Sequence, residues 1–348
     1  WSGNEKYADS YGKGLPSTGP FQLGNENLRW EKTAQADLGL DVALFKNRLS
    51  ITVDLYHKYT SDLLLERPIV GSSGFSKYWA NVGEISNKGY EVLINSLNVK
   101  TKDFAWNTSF NISGNKNKIE KLPTQITQYT RDWVILKEGY SLNSFWLYEQ
   151  LYVDPQTGKV VFDGQLSDGS LPTSARKVFR NAYPKFYGGI GNTFTYKNFD
   201  LGVDFSFQYG NYAVNLNRYF RERNPSSGGV SQNVLNRWQQ PGDITDVPRL
   251  TSEGLNYTID ANSRYLEDAS FLKLRQLSFG YKLPKELVER AKLSAARIYF
   301  VGSNLFIWSK YTGDPESNVT SNPNAQGIGT FGTPPQPRTF QLGLNVTL

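Results

Sequence analysis

Thr339-Phe340-Gln341-Leu342-Gly343-Leu344-Asn345-Val346-Thr347-Leu348 alternates apolar and polar residues without a break. Successive side chains of a strand point to opposite faces, so this period of two predicts a strand with one apolar and one polar face. The same pattern recurs upstream. Leu201, Val203, Phe205, Phe207 and Tyr209 alternate with Asp200, Gly202, Asp204, Ser206 and Gln208, and Leu49, Ile51, Val53 and Leu55 alternate with Ser50, Thr52, Asp54 and Tyr56. Just before the latter, Leu38, Leu40, Val42 and Leu44 alternate with Asp37, Gly39, Asp41 and Ala43. Only Phe45-Lys46-Asn47-Arg48 separates these two runs, and so short a gap forces an antiparallel hairpin.

Two further hairpins are predicted, with turns at Lys100-Thr101-Lys102-Asp103 and Lys197-Asn198, so the tight turns are basic and polar. A last pair, Phe271 to Lys282 and Ala296 to Trp308, is joined through Leu283 to Ala295, where Pro284 opens a short helix. Between the hairpins lie long connections rich in Gly, Pro, Ser and Asn, at 61–85, 115–185, 211–270 and 309–338. Nine strands are expected, with two further strand-like runs at Phe145 to Tyr148 and Lys159 to Phe162. Short and long connections alternate and so segregate to opposite ends. Compact soluble domains rarely carry such long connections, whereas outer-membrane barrels have short periplasmic turns and long extracellular loops.

Composition narrows the chemistry. The 348 residues include no Cys, no Met and one His, His57, which excludes disulfides, thiolate metal sites and cysteine nucleophiles. Without Met, and opening at Trp1, the sequence reads as a processed or partial chain. A formal charge of +6 is too small an excess to argue for nucleic acid. No run of eighteen apolar residues provides a membrane-spanning helix, and the mean hydropathy of −0.49 does not exclude a barrel, because lipid-facing and lumen-facing residues average out along each strand. Aromatic residues make up 14% of the chain.

No catalytic constellation is found. His57 lies at a strand end beside Tyr56 and Tyr59 with no serine or carboxylate motif to complete a triad, and reads as an interfacial histidine. Gly71-Ser72-Ser73-Gly74 lacks the spacing of a nucleophile elbow. Gly188-Gly189-Ile190-Gly191 lies within a strand, with no helix to hold a phosphate. Trp133, Trp146, Trp238 and Tyr257 fall in long connections among polar residues and are the candidate ligand contacts, the alternatives being loop cores and lid contacts. Trp79, Trp106 and Trp308, near strand ends, are assigned to an aromatic girdle. Asp37, Asp41, Asp54, Asp200 and Asp204 occupy the polar strand faces.

Three blocks, Asn27 to Thr33, Arg48 to Leu64 and Asn81 to Glu91, resemble the C-terminal barrel half of SusC/RagA-type TonB-dependent outer-membrane transporters. Phe104-Ala105-Trp106 with Asn111 to Lys118, Ser263 to Arg275, Gly280 to Pro284, Ser303 to Phe306, Tyr311 to Glu316 and Pro334 to Leu348 follow in the family's order. The resemblance implies an all-β, antiparallel transmembrane barrel in which this chain supplies about nine to eleven C-terminal strands of about 22, a strand number known for plugged transporters. Residues 1–30 would be an extracellular loop segment and 31–348 barrel. The resemblance also implies a bacterial outer-membrane importer of oligosaccharides or peptides that is not an enzyme and carries no cofactor. Its partners would be a SusD-like surface lipoprotein as lid, outer-membrane lipid, and TonB acting through a plug upstream of Trp1. Two features depart from the family. Asp154-Pro155-Gln156-Thr157-Gly158-Lys159 has one carboxylate where relatives carry an acidic, calcium-like repeat, so no metal is expected there. Leu348 stands where the terminal Phe is usual. Two other readings of the same sequence are a soluble secreted β-sandwich binding glycans through loop aromatics and a structural barrel subunit without transport.

Overall fold

A computed structural model describes residues 23–70, 72, 74–75, 77–128, 133–223, 229–251, 254–255, 261–318, 326–329 and 331–348. Nine strands form one sheet: β1 (Lys32–Leu44), β2 (Leu49–Ser61), β3 (Glu84–Lys100), β4 (Phe104–Lys121), β5 (Phe186–Tyr196), β6 (Phe199–Tyr209), β7 (Phe271–Lys282), β8 (Ala295–Ser309) and β9 (Thr339–Thr347). Their order in the sheet is their order in the chain, and every neighbouring pair is antiparallel. This is the up-and-down meander of a barrel wall. The sandwich reading required two packed sheets and is corrected here, because the nine strands lie in one.

The register carries a single apolar face across all nine strands. Leu40 of β1 pairs with Val53, Val53 with Val92 and Val92 with Ile112. Further along the same face Leu201 pairs with Phe279, Phe279 with Phe300 and Phe300 with Leu342. Leu342 at 79% and Leu40 at 60% are open to the surroundings, as are Phe279 and Phe300, while Val53, Val92, Ile112 and Leu201 are half-buried. The arrangement inverts that of a water-soluble protein, in which contiguous exposed apolar surface is limited to a few hundred Å². Aromatic rings bracket the band. Phe104, Trp106, Phe194, Tyr196, Phe199 and Tyr281 cluster at the short-turn end, where Trp106 stacks on Phe194 at 5.6 Å. Phe186, Tyr209, Phe306 and Trp308 lie at the opposite end, with Phe186 stacked on Tyr209 at 5.1 Å. The 11 residues of β6 extend about 34 Å, and a tilt of about 45° turns this into roughly 25 Å, the height of an outer-membrane apolar band.

The opposite face is polar and in part internally paired. Thr52 donates to Asp41 at 2.6 Å, and Arg297 Nε donates to Asp200 at 3.0 Å. The Arg297–Asp200 pair joins β8 to β6 across Gly280 of the intervening strand, where a Cβ would fall 2.3 Å from the guanidinium. Glycine is what lets the two charged side chains meet over a strand that lies between them.

The buried core belongs to the connections rather than to the sheet. Trp133, Val134, Phe145, Leu147, Tyr148, Phe162, Val214, Tyr219, Ala261 and Tyr265 form the largest cluster, and all of them lie between β4 and β7. The two extra strand-like runs are strands, Ser144–Leu147 and Val160–Phe162, but they pair in small separate sheets, so the wall keeps nine strands. The physical reason is burial: Ser144, Phe145, Trp146 and Leu147 are all enclosed, and a wall strand must present alternate residues to lipid. An unexpected helix, α1 (Leu216–Arg223), stands in the third long connection, and α2 (Lys285–Arg290) follows Pro284 as expected. Of the expected loop segment 1–30, residues 1–22 lie outside the described residues. Residues 25–29 bond to the hairpin formed by Leu64–Pro68 and Lys77–Asn81, through Asn25 to the Trp79 carbonyl and the Arg29 amide to the Asn81 side chain.

Val203 sits mid-strand on the apolar face of β6. Val203→Lys is expected to lower unfolding stability in liposomes by about 2–4 kcal/mol, while Gln208→Lys on the polar face changes it little. Equal tolerance of the two substitutions in denaturant titrations would refute the orientation.

Candidate functional site

A cavity of about 1140 Å³ lies where the long connections meet the polar face of β7 and β8. Its strand wall is made by Lys273, Asn304, Leu305 and Ile307, and its loop wall by α1 and the segments 311–314 and 332–338. The strand wall depends on a bulge. Asn304 and Leu305 of β8 oppose the single residue Arg275 of β7, and Asn304 takes a left-handed φ of 56°. The extra residue changes the facing of the chain there; Leu305 is buried, and the Asn304 amide reaches the Pro337 carbonyl at 3.1 Å. Lys273, nearly buried, forms an ion pair with Glu316 and donates to Gln336 at 3.2 Å, fixing the last long connection to the wall.

The floor is an ionic network. Asn215 caps α1 by accepting from the Arg218 amide at 3.0 Å, and its own amide donates to the Thr312 carbonyl at 2.8 Å. Arg218 then lies between two carboxylates, with Nε donating to Glu222 at 2.8 Å and Nη1 to Glu267 at 3.1 Å. Arg264 approaches Glu222 from the other side at 3.1 Å and bonds Asp246 at 2.6 Å. Asn233 supplies a further hydrogen bond to Glu222 at 2.9 Å. The Glu222 side chain is 1% exposed and that of Arg264 3%, so each needs its partner. Burial acts to lower the Arg218 pKa, but the charges and hydrogen bonds of Glu222 and Glu267 outweigh it and hold the group above the ordinary arginine range. Three segments, α1, the Arg264 segment and the Asn233 turn, thereby converge on one buried carboxylate, which preorganises the cavity rather than performing chemistry.

The remaining lining is rich in side-chain amides, Asn217, Gln232 and Gln336 among them, with exposed guanidinium groups at Arg221 and Arg338. Amides both donate and accept, so this surface fits sugar hydroxyls or peptide bonds.

Trp133 and Trp146 are loop-core residues, a correction to their candidacy as ligand contacts. Trp133 is 1% exposed and meets Tyr219 edge-on at 5.3 Å. Trp146 is buried beneath the Arg176 guanidinium, 4.7 Å from its ring. Connections this long have to build a core of their own, and large aromatic side chains are what they build it from. Trp238 is half-buried against Gly158 and donates to the Pro155 carbonyl at 2.8 Å. Gly158, at a φ of 65°, leaves the space where a Cβ would strike the indole. The Asp154 carboxylate is held by Thr157 at 2.6 Å and the Gln156 amide at 2.9 Å, bonds that keep it below the usual carboxylate range and close the turn beneath Trp238. Tyr257 lies outside the described residues. Trp238 and the cavity of α1 therefore belong to different parts of the loop layer. The cavity residues escaped sequence reasoning because each is an ordinary polar residue; the Arg218/Glu222 spacing of four was the one local signal of a helix there.

Glu222→Ala leaves two guanidinium groups short of a partner and is expected to destabilise the loop layer by about 3–5 kcal/mol. Faster hydrogen exchange across 215–236, with the strands unaffected, is the expected signature. Unchanged exchange there would show that the network is dispensable.

The model of a family described as TonB dependent receptor-like, beta-barrel, matches residues 2–305. TonB-dependent receptor P3 of Formosa agariphila is 37% identical over 353 residues, which cover 93% of this chain and 35% of that protein. TonB-dependent receptor SusC of Bacteroides thetaiotaomicron is 30% identical, over 99% of this chain and 34% of that protein. Among solved structures, the RagAB peptide transporter superposes with a TM-score of 0.82 at 28% identity, covering 100% of this chain and 39% of that one. The chain thus spans little more than a third of the length of these relatives. With the nine-stranded wall, its lipid-compatible outer face and a family match over most of its length, the chain belongs to the TonB dependent receptor-like β-barrel family.

Proposed function

We propose that this chain forms barrel wall and extracellular vestibule of a bacterial outer-membrane importer that takes up oligosaccharides or peptides by TonB-dependent active transport. The observation that carries this reading is the amide-lined cavity of about 1140 Å³ held open by a buried ionic network on the polar side of a membrane-compatible wall. A wall that served only as a scaffold has no need of such a space. Residues 1–30 join the extracellular loop layer, and further strands and a plug complete the barrel, since an open sheet edge in hydrocarbon leaves backbone groups unpaired at several kcal/mol each.

Capture falls to the loop layer. Arg221 lines the cavity with an exposed guanidinium, Arg338 reaches its rim while stacking over Phe306, and Trp238 is half-buried elsewhere in the connections. A SusD-like surface lipoprotein closes the vestibule from outside, and TonB, pulling from the inner membrane, drives release. The relatives support this reading: one is the TonB-dependent receptor SusC, and the chain also superposes on the RagAB peptide transporter.

Arg221→Gln combined with Arg338→Gln is expected to weaken substrate capture by about tenfold, the value of a charged hydrogen bond or two, without lowering the amount of barrel in the membrane. Uptake by the intact receptor should cease when the proton gradient is dissipated. Accumulation that persists without the gradient would contradict active import, and an absence of any accumulation would favour the scaffold reading.

A further inference from the structure

On the outer face of β2, β3 and β4 the apolar rungs climb from Ile51, Ile94 and Phe110 through Val53, Val92 and Ile112 to Leu55, Tyr90 and Gly114. The next rung is His57, Lys88 and Lys116, directly opposed across the three strands, and all three side chains are exposed. Like charges opposed across strands destabilise a sheet, and no carboxylate occupies this rung. One rung higher Lys118 has its own counter-ion in Glu120, which also accepts from Ser86 at 2.6 Å and feels the charge of Lys88.

A second observation concerns the space beside this rung. A cavity of about 670 Å³ runs along the free upper part of β4, where β5 has not yet joined the sheet. Lys88, Lys116, Lys118 and Lys185 line it, with the hydroxyl-bearing rings of Tyr90, Tyr140 and Tyr183, and its lining contains no carboxylate. With Lys118 neutralised by Glu120, the ammonium groups of Lys88, Lys116 and Lys185 and three phenols make an anion site with an aromatic rim.

Its height on the barrel identifies the anion. Twelve residues separate Phe104, in the short-turn girdle, from Lys116. At about 3.4 Å per residue and a tilt of about 45°, Lys116 stands roughly 30 Å above that girdle, just beyond a band about 25 Å tall. That level, on the long-loop side, is where the headgroups of the outer leaflet lie. We propose that the Lys88–Lys116 rung and its cavity form a binding site for the phosphate groups of an outer-leaflet glycolipid, which would supply the missing negative charge between the strands. The inference rests on the outer-membrane reading of the apolar face, and it assigns this sector of the wall a fixed lipid neighbour.

The test uses the complete receptor in nanodiscs of zwitterionic lipid with a trace of bisphosphorylated lipid A. Wild-type protein should retain the bisphosphorylated lipid over its dephosphorylated form. Lys88→Gln with Lys116→Gln should reduce retention by roughly thirtyfold, as expected from about 1 kcal/mol per lysine near an anionic surface. Lys88→Arg with Lys116→Arg should keep it, as should Lys102→Gln at the short-turn end. Retention undiminished in the Gln variant would overturn the site, and so would equal retention of the two lipids by wild type, a comparison that holds even if the variant fails to fold. Displacement of the lipid by millimolar inorganic phosphate would point to a soluble anion and overturn the lipid assignment. Failure of the wild-type protein to enter nanodiscs at all would instead overturn the membrane reading on which the site rests.

Discussion

Water is absent from the hydrocarbon layer, so a strand there has to place every backbone N–H and C=O in the ladder of its neighbours. That constraint shapes the rest of this molecule. It demands long, regular, antiparallel strands in chain order, which β1 to β9 supply. It also removes the usual reward for hiding apolar side chains within the protein, since lipid solvates them equally well. The largest apolar surface is therefore on the outside, with Phe340, Leu342 and Leu344 of β9 all well exposed.

The connections answer to the opposite condition. They stand in water, and their backbone and apolar side chains need a core. Trp133, Phe145, Tyr219 and Tyr265 provide it, knitting together segments far apart in the chain. Polar groups then lock the arrangement where apolar packing ends. Glu222 holds α1, the Arg264 segment and the Asn233 turn at one point, and Lys273 ties the final connection to the wall through Glu316 and Gln336. A buried ion network of this kind contributes little net stability, because desolvation offsets its attraction. What it confers here is a defined cavity shape above the wall, the property a capture site requires.

The wall has its own gradation of environment. Aromatic rings mark both ends of the apolar band, and the Lys88–Lys116 rung follows immediately above it. Lipid tails, headgroups and water are thus each met by side chains of matching polarity as one strand is followed upward. The inner face carries polar side chains that in part pair with one another, such as Arg297 with Asp200 across Gly280.

Reading along the chain was enough to find the nine wall strands, the short turns and the orientation of each face, because alternation with period two is a local property that survives in any environment with two unlike sides. Val203 and Asp204 declare their faces through their neighbours alone. Alternation could not say that Ser144–Leu147 leaves the wall, since a run of four apolar or small residues has no preferred face. Nor could it separate Trp133 from Trp238: both are tryptophans among polar residues, and only the packing of distant segments buries the first and leaves the second half open. The cavity was equally beyond reach, because Asn215, Arg218, Glu222, Arg264 and Lys273 are brought together by long-range contacts. Local periodicity determined the wall, and tertiary structure alone decided the site, because a site is made of side chains whose proximity the chain order does not encode.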